Sequence, residues 1–262
     1  MLIDNHVHIG WYSDGNHRPL DVWIAEKQSG VSRVVVASTS TCAELYHWVV
    51  YEMKALLKVG GNDILPILWL TPKMMRTWAL GYILHSDIRW QGIKIHPEAH
   101  PEWAHNKKLM KKAVEVARTL GVPILLHTGN FEVSKASNFE YLFRMYPSQQ
   151  FVLAHGRPAD QIPALLRKYS NVAVDTAFMP VEQLKDLLSK GFQDRIYFGT
   201  DVPINEVYFK NMTTKEYIRS QIEEIISVCG EDNFRTIASH TPYHTSEREI
   251  SIRSLIKKSR KW

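Results

Sequence analysis

Short apolar runs alternate with longer amphipathic stretches along most of this chain. Several runs are continuous in valine, isoleucine and leucine, which is typical of strands buried on both faces. Eight runs are predicted to be strands: Leu2–Val7, Arg33–Ser38, Ile64–Leu70, Gly92–His96, Pro123–His127, Phe151–Ala154, Val172–Asp175 and Ile196–Thr200.

The stretches between these runs have helical spacing. The clearest is Asn106–Leu120, which is followed by Gly121, a residue suited to ending a helix. Pro163–Tyr169 and Val181–Lys190 are predicted to be helices on the same grounds. The apolar residues of the first stretch recur at intervals of three and four: Leu109, Met110, Ala113, Val114 and Ala117.

Eight strand–helix units within 262 residues predict a single-domain (β/α)8 TIM barrel of the α/β class. A dinucleotide-binding doubly wound sheet would carry GxGxxG after a strand, and the sequence contains no such motif. No linker, low-complexity segment or short repeat divides the chain. One barrel domain is therefore expected over residues 1–262.

Composition narrows the expected partners. With 45% apolar and 23% charged residues the chain can bury a sizeable core, and general disorder is not expected. The net charge of +5 fits an anionic small-molecule substrate. Nucleic acid is not an expected partner, because the sequence has no Arg/Lys-rich stripe with interleaved aromatics. The basic run Lys257, Lys258, Arg260 and Lys261 is interpreted as a solvated tail.

Localisation follows from two further features. Cys42 and Cys229 form neither a disulfide framework nor a CxxC metal clasp, which favours a reducing compartment. No signal peptide is visible after Met1, and no apolar run approaches the roughly 20 residues that span a membrane. We expect a soluble, cytoplasmic protein without a membrane partner.

Metal-binding residue types fall at the ends of the predicted strands, where a barrel has its active site. His6 and His8 share one strand face because residues two apart point the same way. His127, His155 and Asp201 follow strands five, six and eight. Singly, such a histidine is more often a hydrogen-bonded loop residue, and such an aspartate is as often a helix cap as a site residue. Their joint occurrence favours one shared site.

Imidazoles and a carboxylate suit a borderline divalent ion such as Zn²⁺. Such an ion lowers the pKa of a bound water from about 16 towards 7. A histidine that is not a ligand, or the aspartate, would then accept the proton.

With these residues in place, the sequence resembles the amidohydrolase superfamily, in particular its amidohydrolase 2 (amidohydrolase-related) branch. The matching motifs occur in the family's order from residue 3 to residue 203. They are Ile3-Asp4-Asn5-His6-Val7-His8, Gly92-Ile93-Lys94-Ile95-His96-Pro97, Pro123-Ile124-Leu125-Leu126-His127-Thr128-Gly129, Phe151-Val152-Leu153-Ala154-His155-Gly156, Asn171-Val172-Ala173-Val174-Asp175-Thr176 and Tyr197-Phe198-Gly199-Thr200-Asp201-Val202-Pro203.

The resemblance implies a barrel with one or two divalent metals. His6, His8, His127 and Asp201 match the usual metal ligands. Asp201 also resembles the aspartate that takes a proton from water and passes it to the leaving group. His155 matches a histidine that contacts the attacking water or the substrate in one-metal members.

Other residues keep two interpretations each. Lys94 is either carboxylated and bridges two metals, or is a cation that holds a substrate carboxylate; a single Zn²⁺ is favoured. His96 either binds substrate or hydrogen-bonds to a ligating side chain, and Asp175 is expected to have a structural or supporting role and not a catalytic one. Arg157 stands where relatives often have a small residue, and it either clamps a carboxylate or phosphate or lies on the surface.

Four aromatic residues follow strands and either wall a ring-shaped substrate or pack in the core: Trp11, Tyr12, Trp69 and Trp103.

The activity implied is hydrolysis of an amide, ester or lactone of a small anionic molecule. Metal-dependent decarboxylation of an aromatic or unsaturated carboxylic acid is the alternative within the same branch. A barrel that binds a metal or metabolite without catalysis is the alternative from another class. Substrate identity and assembly into a homo-oligomer are left open by the sequence.

Overall fold

The computed structural model describes residues 1–12 and 15–243, and the basic run near residue 260 lies outside that part of the chain. The strands are β1 (Ile3–Tyr12), β2 (Gly15–His17), β3 (Arg33–Ser38), β4 (Ile64–Leu70), β5 (Gly92–Ile95), β6 (Ile124–His127), β7 (Phe151–Ala154), β8 (Val172–Asp175) and β9 (Ile196–Tyr197).

The α-helices lie between and after the strands. They are α1 (Pro19–Gln28), α2 (Tyr46–Gly60), α3 (Trp78–Leu84), α4 (Glu102–His105), α5 (Lys107–Leu120), α6 (Glu140–Met145), α7 (Ile162–Lys168), α8 (Val181–Ser189), α9 (Asn205–Tyr208) and α10 (Thr214–Ser239). Single turns of 3-10 helix lie at Thr39–Thr41, Gly61–Asp63, Met74–Arg76, Glu132–Ser134, Ala136–Phe139 and Gln193–Arg195.

Eight of the strands form a parallel barrel in sequence order. From β1 through β3 to β9 each strand pairs in parallel with the next, and β2 adds an antiparallel edge to β1. Backbone hydrogen bonds from Asp201 N to His6 O and from His8 N to Val202 O, both 2.7 Å, join the segment after β9 to β1. The (β/α)8 fold predicted from the sequence is confirmed.

The observed strand limits differ from the predicted ones mainly in the first and last strands of the barrel, β1 and β9. β1 runs five residues past Val7 because it pairs with β2, with Tyr12 opposite Gly15. A bulge between Asp4 and Val7 shifts its register against β3. β9 loses regular pairing after Tyr197, since the following segment turns to bond to β1.

Helix α5 forms as its pattern predicts. The Asn106 side chain accepts a hydrogen bond from Leu109 N at 3.0 Å, and Gly121 takes the left-handed conformation that ends the helix, with φ of 67°. Its apolar face packs on the outside of the barrel in the main core.

A second, inner cluster fills the barrel interior. It comprises Val35, Ala37, Leu65, Ile67, Trp69, Leu125, Val152, Ala154, Ala173, Tyr197 and Tyr243. The filled interior leaves the strand ends to carry the polar site. Within the described residues, no helix combines the length and apolarity needed to cross a bilayer.

Candidate metal and active site

His6, His8 and Asp201 converge on one point at the carboxyl end of the barrel. Asp201 Oδ1 lies 3.1 Å from His6 Nε2 and 3.0 Å from His8 Nε2, and the two imidazole nitrogens are 3.3 Å apart. All three residues are buried. The strand-end prediction thus places these three side chains correctly next to one another.

Each histidine is held by a partner on the far side of its ring. Asp175 Oδ2 lies 2.9 Å from His6 Nδ1, and Ala37 O lies 3.3 Å from His8 Nδ1. Because a carboxylate and a carbonyl only accept, both Nδ1 atoms carry the proton. The Nε2 lone pairs of both rings therefore face Asp201.

Asp175 is itself fixed by backbone donors. Its Oδ1 accepts hydrogen bonds from His155 N at 2.9 Å and from Ala177 N at 3.2 Å. Burial raises the pKa of Asp175 to about 6, against the opposing effect of His155. Asp175, at the end of β8, thus contacts both His6 of β1 and the backbone of His155, which follows β7.

Asp201 and His155 both have left-handed backbone conformations, with φ of 63° and 67°. For residues with a Cβ this costs of the order of 1–3 kcal/mol and occurs preferentially at functional sites. Asp201 is held there by its backbone bond to His6 O, and His155 by its bond to Asp175.

Lys94 extends from β5 into the same centre. Its Nζ lies 2.6 Å from His6 Nε2 and 2.8 Å from His8 Nε2, and the side chain is only 1% exposed. Burial lowers the pKa of Lys94 to about 8, although Asp201 and Asp175 oppose this. The amine is therefore easier to deprotonate than an exposed lysine.

His155 and His127 form a second pair beside the first. His155 Nε2 lies 3.1 Å from His127 Nδ1 and 3.8 Å from Asp201 Oδ2, and its Nδ1 donates to Ala177 O at 2.9 Å. His127 is not in either of the two donor triads found among the described residues, which are His6–His8–Asp201 and His6–His155–Asp175.

The electrostatics favour a cation. Burial, with the nearby Lys94, lowers the pKa of His6 and of His8 to about 3, so both rings are neutral at pH 7. Burial alone would raise the pKa of Asp201, but the basic side chains around it, Lys94 among them, hold that pKa well below its ordinary value. Neutral imidazoles and an ionised carboxylate are the forms that bind metals.

The donor triad fits a small divalent ion. Its edges of 3.0, 3.1 and 3.3 Å are close to the roughly 3.3 Å between ligands in a tetrahedral zinc site with bonds of about 2.0–2.1 Å. The lone pairs of the three atoms face one another, and the cationic group nearest to them is the Lys94 amine, 2.6 Å from His6 Nε2 and 2.8 Å from His8 Nε2.

His96 and Trp69 form one wall of the cavity above this centre. The His96 ring stacks on His127 with centroids 3.6 Å apart and on Trp69 with centroids 5.2 Å apart. Of the other aromatic candidates, Tyr12 lines the cavity, Trp11 is exposed away from its lining, and Trp103 is buried in the core.

Arg157 lines the cavity as well. One guanidinium nitrogen donates to Phe178 O at 2.6 Å, and the backbone N of Arg157 donates to Thr128 Oγ1 at 3.0 Å. The cavity has a volume of about 870 Å³, and Phe178, Tyr208 and Phe209 form another part of its wall.

Sequence reasoning missed Glu98, a carboxylate in the cavity lining. Its Oε2 lies 3.4 Å from His127 Nε2, and its Oε1 accepts from Ser134 Oγ at 2.5 Å. Glu98 follows the Lys-Ile-His-Pro motif directly, and that position at a strand end was the one available signal.

Solved structures with the same fold include enzymes of several activities. A probable 2-pyrone-4,6-dicarboxylic acid hydrolase from Acinetobacter baumannii, with citric acid bound, is 12% identical with a TM-score of 0.64 over 90% of this chain and 95% of its own. The 5-carboxyvanillate decarboxylase of Novosphingobium aromaticivorans, complexed with manganese and 4-hydroxy-3-methoxy-5-nitrobenzoic acid, is 12% identical with a TM-score of 0.63 over 84% and 77%.

A third structure, 4-oxalomesaconate hydratase from Rhodopseudomonas palustris, is 13% identical with a TM-score of 0.59 over 100% of this chain and 99% of its own. At such identities these similarities establish the fold alone. No curated protein sequence is significantly similar to this chain.

The family comparison is more specific. The amidohydrolase family model, Amidohydro_2, matches residues 85–242, more than half of the chain. That segment includes Lys94, His96, His127, His155 and Asp201. The chain belongs to the amidohydrolase family.

Proposed function

We propose that this protein is a metal-dependent hydrolase that uses water to cleave an amide, ester or lactone of a small anionic substrate. The observation that carries the proposal is the position of the Asp201 carboxylate. One oxygen contacts Nε2 of both His6 and His8 at 3.0–3.1 Å, while the other points towards His155 Nε2 at 3.8 Å. A single side chain thus joins a cation-binding triad to a proton-handling histidine.

His6, His8 and Asp201 would hold the ion, with His127 as a further ligand. One Zn²⁺ is proposed from the nitrogen-rich donor set. A second ion is the alternative, supported by the 3.1 Å approach of His127 Nδ1 to His155 Nε2 and by Lys94 beside both triad histidines. In that case Lys94 would be carboxylated and supply oxygen donors. When bound, the ion would supply Lewis acidity to water and to the substrate carbonyl.

The protein's own groups would do the remaining work. Asp201 Oδ2 would accept the proton of the attacking water and return it to the leaving group, as general bases in hydrolases do. His155, whose Nδ1 donates to Ala177 O, would accept a hydrogen bond from the attacking water through its unprotonated Nε2 and so orient that water. Asp175 would keep His6 in the tautomer that turns Nε2 inward.

Substrate recognition would use the cavity wall. Arg157 offers a planar set of donors suited to a carboxylate, and Lys94 and His96 would lie near the same molecule. Phe178 and Trp69 would contact apolar parts of the substrate. The volume of about 870 Å³ suits a small metabolite better than a polymer.

A substrate panel tests the proposal. The zinc-reconstituted protein is offered lactones, esters and amides that carry a free carboxylate, beside aromatic and unsaturated carboxylic acids. Ring opening or release of the alcohol or amine is expected, with loss of turnover in Asp201→Asn. Release of CO₂ instead would replace hydrolysis by decarboxylation. No turnover on either class would favour a barrel that binds without catalysis.

A further inference from the structure

Glu98 occupies a pocket shaped for it in the cavity wall. It lies in the loop after β5, where Oε1 accepts a hydrogen bond of 2.5 Å from Ser134 Oγ, and Oε2 lies 3.4 Å from His127 Nε2. The side chain is 26% exposed, so it is largely enclosed by protein. Its two oxygens therefore have different partners, one from each of two neighbouring segments.

Gly129 makes this pocket possible. A Cβ on Gly129 would lie 1.9 Å from Glu98 Oε1 and 2.6 Å from Ser134 Oγ. Any other residue at position 129 would push the carboxylate out. The loop after β6 therefore accommodates Glu98 by having no side chain at the point of contact.

Glu98 is ionised where it lies. A glutamate carboxyl ordinarily titrates at about 4.3, and Ser134 Oγ donates to Oε1, so the carboxylate form is present at pH 7. A carboxylate accepts hydrogen bonds only. The facing nitrogen, His127 Nε2, must therefore carry a proton.

The other nitrogen of His127 faces the centre. His155 donates its Nδ1 proton to Ala177 O, which leaves His155 Nε2 without a proton in the neutral ring. His127 Nδ1 lies 3.1 Å from that Nε2. These two unprotonated nitrogens face each other, as two ligands of one cation do, and His155 Nε2 in turn lies 3.8 Å from Asp201 Oδ2.

We propose that Glu98 is a positioning residue that binds His127 through Nε2 and so turns His127 Nδ1 towards His155. The proposal rests on the proposed function in that it takes His127 as part of the active site. Carboxylates bonded to the distal nitrogen of a site histidine fix both its tautomer and its ring orientation. Glu98 would act only through His127.

The test uses Glu98→Ala, Glu98→Gln and, as matched control, Glu132→Gln, which removes the same charge from an exposed glutamate paired with Lys135. In metal-free protein, ¹⁵N NMR of labelled histidines reports which His127 nitrogen carries the proton. Glu98→Ala is expected to change the His127 Nε2 signal, and Glu98→Gln to restore it in part. An unchanged signal in Glu98→Ala would overturn the proposal.

Zinc affinity, measured by chelator competition, is the second readout. The Kd for zinc is expected to rise about 10–100-fold in Glu98→Ala, with Glu132→Gln equal to the parent. Equal zinc affinity in the parent and Glu98→Ala would count against a role towards the metal. Neither readout needs a substrate, so a failure to find hydrolysis would reject the proposed function without touching this inference.

Gly129→Ala provides an independent variant that leaves Glu98 in the sequence. The added methyl displaces the carboxylate, so its NMR and zinc-binding changes should match those of Glu98→Ala. In the Glu98→Ala/Gly129→Ala double variant, the glycine substitution should change the NMR signal and the zinc Kd little further, because the carboxylate that it displaces has already been removed. Full additivity of the two changes would contradict the proposed contact.

Discussion

His6 Nδ1 and Asp175 Oδ2 lie 2.9 Å apart, and both side chains are buried. His6 comes from the first barrel strand and Asp175 from β8, so the contact spans 169 positions of sequence. Asp175 cannot turn away, because its other oxygen accepts two backbone hydrogen bonds. This contact decides which nitrogen of His6 is left to face Asp201.

Asp175→Asn should therefore weaken metal binding without removing a ligand. The amide would keep its backbone hydrogen bonds through oxygen and present an NH₂ group to His6, which favours the wrong tautomer. We expect the Kd for zinc to rise about 10–100-fold, measured by chelator competition. Asp186→Asn, at a half-exposed aspartate of α8 that pairs with Lys190, is the control. Parent-like affinity in Asp175→Asn would show that the contact does not orient His6.

Asp201→Asn should abolish most of the turnover while the fold persists. The substitution removes the proposed base and one charged ligand, and loss of general base catalysis alone costs about 10²–10⁴-fold. Activity on the best substrate of the panel, together with circular dichroism, separates chemistry from folding. Activity within a few-fold of the parent would reject the assignment of Asp201.

Arg157→Met should raise KM for anionic substrates more than it lowers kcat. A charge-assisted hydrogen bond contributes about 1.5–3 kcal/mol, which corresponds to roughly 10–100-fold in KM. The neutral methyl ester of the same substrate serves as control, because it lacks the group that Arg157 would bind. An equal loss for both substrates would point to a structural role through the hydrogen bond to Phe178 O.

The free energy of unfolding should depend on pH through two buried carboxyl groups, those of Glu26 and Asp4. Burial raises the pKa of Glu26 well above its ordinary value, with a further contribution from Asp4, and burial raises the pKa of Asp4 to about 7. Because both values are raised, the folded state prefers the protonated forms. The stabilisation that this gives is complete below about pH 4 and is lost as the pH rises through 7.

Glu26→Gln cannot ionise and should escape part of this loss. Its melting temperature, compared with that of the parent from pH 5 to pH 8.5, is expected to shift progressively in favour of the variant. Glu132→Gln, at an exposed position, should show a constant difference. A constant difference for Glu26→Gln too would mean that the pair does not titrate with folding.

The barrel and its central triad were predictable because they depend on local pattern. Buried parallel strands read as continuous apolar runs, and strand ends of a barrel meet at one face. That rule alone predicts that His6, His8 and Asp201 lie close together, since each is at the end of a predicted strand. The helix over Lys107–Leu120 likewise follows from its own spacing and caps.

The supporting contacts could not be predicted in the same way. Glu98 depends on Ser134 and on the missing side chain of Gly129, which come from a different loop. A supporting role for Asp175 was expected, but its partner His6 was not, because that pairing depends on a register between distant strands. Such contacts are properties of the packed structure, and no single segment of the sequence carries them.

Metal content tests the central claim most directly. The protein is purified, supplemented with zinc, dialysed and measured by atomic emission, beside a His6→Ala/His8→Ala double variant. We expect about one ion or more per chain in the parent, because imidazole and carboxylate donors make zinc sites, and a strong loss of metal in the variant. Less than about 0.1 ion per chain in the supplemented parent, far below the stoichiometric occupancy of a metalloenzyme site, would contradict it.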